Sequence, residues 1–74
     1  MKYSSLPLNP FDEIRFEEKE VRHHRCLDIR IYTALKEGEE KIPTGKGLLV
    51  PLDKLPDLSE ALRIVDNRQK HWVS

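Results

Sequence analysis

The chain has little of what most functional classes need. Its single cysteine, Cys26, stands among 74 residues, so no internal disulfide can form, and a reducing compartment fits. There is neither a paired Cys-x-x-Cys nor a His-x-x-x-His, and the adjacent His23 and His24 would point to opposite sides of an extended chain. No metal site is expected. A Walker-type glycine loop and a nucleophile elbow are both missing, and Cys26 suits a small buried hydrophobe better than a nucleophile. The expectation is a protein that is not an enzyme and carries no cofactor. Lys plus Arg number 13, as do Asp plus Glu, so no global basic field attracts nucleic acid and anion binding must come from local segregation of charge. No apolar run approaches the ~20 residues of a membrane span, and the N-terminus lacks the apolar core of a secretory signal. That reads as an intracellular protein with no membrane partner.

What is present begins with Leu27-Asp28-Ile29-Arg30-Ile31-Tyr32. Its strict alternation puts Leu27, Ile29 and Ile31 on one side of a strand and Asp28, Arg30 and Tyr32 on the other. A turn signal follows at Lys36-Glu37-Gly38-Glu39-Glu40, and then Lys41-Ile42-Pro43-Thr44-Gly45-Lys46-Gly47 leads into Leu48-Leu49-Val50. A lysine flanked by Gly45 and Gly47 at the start of a strand can bring its backbone close to a ligand. From Val50 the period changes to about 3.6 residues. Asp53 is a candidate N-cap and Pro56 falls in the first turn, where a missing N–H costs nothing. Leu55, Leu58, Leu62 and Val65, widened by Ala61 and Ile64, form an apolar stripe on a helix of about four turns.

The other segments read less clearly. Residues 1–12, with Ser4, Ser5, Pro7, Asn9 and Pro10, have the composition of a flexible arm, and the folded domain is expected over 13–72. Ile14 to Val21 fits either a strand or a helix, since Glu and Lys are good helix formers. Arg22-His23-His24-Arg25 carries two fixed charges and two imidazoles and reads as a connection.

The order and spacing of Leu27-Asp28-Ile29-Arg30-x-Tyr32, an acidic glycine turn, Lys41, Gly45-Lys46-Gly47-Leu48-x-Val50 and a following helix resemble the Positive Cofactor Four transcriptional coactivator family. The likeness runs from roughly Arg15 to Val65. Members of that family are small dimeric binders of single-stranded DNA, so it implies an α+β fold. Four antiparallel strands, near Ile14 to Val21, Arg25 to Leu35, Glu39 to Ile42 and Gly47 to Pro51, would precede one C-terminal helix, and Ile14 to Val21 becomes a strand. Arg30 and Lys46 match cationic binding positions of the family, and Lys41 matches another if one residue is inserted in Ile42-Pro43-Thr44. Lys19, Arg22 and Arg25 fall on the first hairpin, where the family is also basic. With Tyr32, Gly45 and Gly47 they make up the implied nucleic-acid site, and Arg22, Arg25, Arg30, Lys41 and Lys46 are expected on one surface. The chain departs from the family in its aromatics: Thr33 and Val21 occupy positions where a stacking ring is common. The resemblance also implies a homodimer closed by the helices, through Leu58, Leu62, Val65 and Trp72. Binding of single-stranded DNA, or of RNA, in transcription, replication or recombination is the leading expectation. Transcription or replication proteins are the implied protein partners, and a small dimeric protein-interaction adaptor that retains the fold without nucleic-acid binding is the alternative.

Overall fold

The computed structural model describes residues 3–72. It shows an open four-stranded antiparallel sheet followed by one helix, an α+β chain. The strands are β1 (Tyr3–Pro7), β2 (Asp12–Val21), β3 (His24–Thr33) and β4 (Ile42–Pro51), joined as a meander in the order β1-β2-β3-β4. A single 3-10 turn, Leu52–Lys54, leads into the helix α1, Leu55–Trp72. Asp53 lies in that turn rather than capping α1, while Pro56 occupies the first helical turn.

Two expectations about the strands are corrected. The N-terminal segment is not a free arm from Tyr3 onward, because Tyr3–Pro7 pairs with β2 in the register Leu6↔Ile14 and Ser4↔Phe16. Asn9 makes that pairing possible: its side-chain oxygen accepts from the amides of Phe11 (2.8 Å) and Asp12 (2.9 Å), folding the chain into a compact turn. Glu39 to Ile42 is not a strand of its own, since β4 begins at Ile42 and runs without a break through Pro43, Gly45 and Gly47. Pro43 is tolerated there because β4 is an edge strand.

Register gives the sheet two unlike faces. Leu6, Ile14 and Ile31 align on one, with Phe16, Ile29 and Leu48 in the next row and Leu27 beside Val50 beyond. The helix approaches this apolar face but leaves a cleft of about 540 Å³ between Ile14, Phe16 and Ile29 on the sheet and Leu55, Leu58 and Leu62 on α1. Among the described residues the buried core is therefore thin, consisting of Cys26, Ala34, Val50 and the charged Asp28. From Ser59 to Lys70 every helical side chain is exposed. The chain exposes 6264 Å², against about 4,700 Å² for a compact monomer of this mass. Its radius of gyration of 14.7 Å likewise exceeds the ~11 Å of a compact 74-residue domain.

Candidate nucleic-acid interface

On the sheet face away from α1, strand alternation gathers Glu13, Arg15, Glu17 and Lys19 from β2 with Asp28, Arg30 and Tyr32 from β3. At its centre is Asp28, whose side chain is only 2% exposed. Arg30 Nε donates to both of its carboxylate oxygens at 3.2 Å, and Arg30 Nη2 lies 3.1 Å from Oδ1. Lys19 Nζ approaches Oδ2 from the neighbouring strand at 2.9 Å. Burial works against the charged form of Asp28, but hydrogen bonds from Arg30 and Lys19 outweigh it and hold the carboxyl below the ordinary aspartate value. The same bond raises the Lys19 ammonium above its ordinary value, against a smaller cost of desolvation.

Arg30 is fixed from a second side. Between Arg30 and Tyr32 the β3–β4 register shifts, as β4 advances from Gly47 to Pro43 against two steps of β3. Thr44 mends this bulge: its hydroxyl donates to the Ile31 carbonyl at 2.8 Å and accepts from the Lys46 amide at 3.2 Å. Its carbonyl accepts from Arg30 Nη1 at 3.0 Å. A guanidinium has five N–H groups. Bonds at Nε, Nη1 and Nη2 leave N–H donors on the terminal nitrogens for a ligand.

Beside this cluster the Arg15 guanidinium is sandwiched between two rings, 4.5 Å from the centroid of Tyr3 and 4.2 Å from that of Tyr32. Glu13 accepts from its Nε and raises the already high pKa of Arg15. The open face thus carries three cations, two aromatic rings and three acids, each cation having an acidic partner.

The expected site residues divide among several places. Lys19, Arg30 and Tyr32 share the open face. Lys46 does not join them: Gly47 is the residue opposite Arg30, so Lys46 turns to the other side, bordering a hollow with Ile14, Ile29, Ile31 and Leu48. There Lys46, with Lys41, adds its field to side-chain hydrogen bonds from Thr33 and Asn9 that lower the pKa of Asp12. Arg25 alternates onto the same side as Leu27 and pairs with Glu18 at 2.5 Å, both largely exposed. Arg22 stands at the tip of the β2–β3 hairpin, whose connection is Arg22-His23 alone, His24 and Arg25 being part of β3. The expected convergence of Arg22, Arg25, Arg30, Lys41 and Lys46 on one surface is therefore not found. Alternation along β3 parts Arg25 from Arg30, and the bulge in the β3–β4 pairing goes with Lys46 on the side away from Arg30.

Gly45 has open space around its Cα, whereas Gly47 is crowded by β3. Leu58 is half-buried, Leu62 and Val65 are exposed on α1, and the side chain of Trp72 lies outside the described residues. Arg15 and Asp28, which tie this face together, are not singled out by the sequence as parts of the site. The Ile14-Arg15-Phe16 alternation was a usable signal for Arg15 once this segment is a strand.

Among the described residues no helix is long and apolar enough to cross a membrane. No family model matches the chain, and comparison with curated proteins and with solved structures returns no significant match.

Proposed function

We propose that this chain is a homodimeric, intracellular single-stranded DNA-binding protein that lays the strand across the open sheet face, serving transcription or replication and recombination. The observation that carries the reading is Arg30: it is held from two sides, by Asp28 and by the Thr44 carbonyl, with donors to spare next to Tyr32 and the Arg15 stack. Binding of unpaired strands needs cations for phosphates and flat groups for bases, and tolerates sequence because every base has a π-face. Both ingredients lie on this face. The helix, by contrast, starts Leu55-Pro56-Asp57-Leu58, where a major-groove reader would offer Arg, Asn or Gln.

A second reading, a dimeric adaptor, is favoured by one observation: Arg15, Lys19, Arg25 and Arg30 all have carboxylate partners. Titration of labelled oligonucleotides separates the two. The expected result is a preference for single-stranded over duplex DNA of about tenfold or more with little sequence dependence, and an RNA oligonucleotide in a parallel arm shows whether the sugar matters. Arg30→Ala should lower the slope of log affinity against log salt by roughly 0.7. Equal affinity for both DNA forms refutes the single-strand preference, and no binding to either assigns the chain to the adaptor class.

A further inference from the structure

We infer that Asp28 is a positioning residue that assembles Lys19 and Arg30 into one clamp for a phosphodiester oxyanion; the inference rests on the single-strand reading and adds to it a residue of negative charge. Two cations on adjacent strands repel each other and, left free, would sweep apart into solvent. Here a carboxylate only 2% exposed lies between them and bonds to both, at 2.9 Å from Lys19 Nζ and at 3.1 and 3.2 Å from Arg30 Nη2 and Nε. The cations cover it while staying in reach of solvent, with side chains 43% and 23% exposed. Among the described residues Asp28 is the largest side chain buried to this degree. Its single charge against two leaves the trio of Asp28, Lys19 and Arg30 with one positive charge in excess, Glu17 across from Asp28 being the nearest further acid, and both partly exposed cations keep N–H donors beyond those bonded to Asp28, as a phosphate needs.

Charge alone predicts the opposite behaviour, and this makes the inference testable. Replacing Asp28 by Asn raises the net charge by one, which by long-range attraction should tighten binding to any polyanion. The clamp requires the reverse. Fluorescence titration of a labelled oligothymidylate with the full chain should show Asp28→Asn binding about tenfold more weakly than wild type, the scale of a lost charge-assisted bond. Its salt slope should be lower by about 0.7, since one phosphate contact is gone. Glu17→Gln, directly opposite on β2, makes the same change of charge and should bind as tightly as wild type or more so. A mere loss of stability would leave the salt slope of the folded fraction unchanged. If Asp28→Asn does not fold, Lys19→Gln, Arg30→Gln and their double variant decide: a clamp predicts that the double loses no more affinity than the worse single, because one cation alone no longer holds the phosphate. Asp28→Asn binding as tightly as wild type or tighter, or additive losses in the double, overturns the clamp and leaves single-strand binding standing. Wild type that binds no oligonucleotide overturns both.

Discussion

Gly47 lies directly across from Arg30, and the two backbones come so close that no side chain fits at position 47. A Cβ there would sit 2.6 Å from the Ile29 carbonyl oxygen, 3.0 Å from Arg30 Cα and 3.1 Å from Arg30 Cβ. The glycine thus serves the approach of β4 to β3, and through it the site of Arg30. Gly47→Ala must push the strands apart and should destabilise the fold by about 1–3 kcal/mol, as overpacking does. Gly45 has nothing within 4 Å of a built Cβ and no left-handed φ, so Gly45→Ala should gain up to about 1 kcal/mol by stiffening the unfolded chain. Urea denaturation of the two variants measures the contrast. If they prove equally stable, the close approach at Gly47 is not real.

The β2–β3 hairpin turns on two residues in the left-handed region, Arg22 at φ 52° and His23 at φ 68°. Such a turn strongly favours Asn-Gly, because both central positions need φ above zero. Arg and His there are strained, and strain of this kind is kept where the side chains are used. Replacing Arg22-His23 by Asn-Gly should stabilise the chain by about 1–2 kcal/mol. A thermal melt checks this, and a melting temperature at or below that of wild type would show that the turn is not under strain.

How much of this could be read from the sequence depended on which forces are local. β3 was legible because strict alternation over Leu27 to Tyr32 allows one strand register and one apolar face. The helix was legible from its 3.6-residue stripe, although its end at Trp72 falls beyond the last clear periodic position, Val65. β1 was hidden because Pro7, Asn9 and Pro10 give it the composition of a loop. Pairing with β2, a non-local interaction, outweighs that local preference. Pro43 and Gly45 hid the first half of β4 in the same way, and an edge strand accepts them. The site was half legible. Arg30 and Lys19 could be placed by alternation, but the side taken by Lys46 is set by the bulge at Thr44, which depends on a cross-strand hydroxyl bond with no sequence signature. Asp28 was visible as a polar partner to Arg30, while its burial beneath two cations needed the neighbouring strand.

Stability should fall on the acid side through Asp28 and Asp12. Both carboxyls are held below the ordinary value of 3.8 in the folded state, so they stay ionised further into acid than in the unfolded chain. Their contribution is whole above the unfolded value and is lost as pH drops through the folded one. Lys19, raised above 10.5, acts at the other end: its contribution is whole below the unfolded value and disappears as pH rises through the folded one. Melting temperature should therefore be flat through neutral pH and decline below about pH 4. Asp28→Asn should be less stable at neutral pH and show a shallower acid decline. An acid limb identical in slope to wild type would mean that Asp28 is not ionised against its two partners.

The last expectation concerns what covers the apolar face. The chain exposes 6264 Å², some 1,500 Å² beyond a compact monomer of its mass. A standard interface removes about 800 Å² from each partner, so the excess is ample for one. Leu62 and Val65 are 61% and 50% exposed along the α1 stripe that begins with Leu55 and Leu58, and Leu55, Leu58 and Leu62 of that stripe line the open cleft between helix and sheet. A second copy is the occupant expected under the proposed function, in an isologous two-fold arrangement where each helix would contribute the same stripe to the other. Leu62→Asp would place an unpaired carboxylate in that contact and should give monomers or unfolded chain. Sedimentation equilibrium distinguishes the outcomes, with far-ultraviolet circular dichroism to tell a folded monomer from a collapsed fold. Wild type that sediments as a folded monomer at tens of micromolar would show that the thin core suffices alone, and that Leu62 and Val65 do not serve self-association.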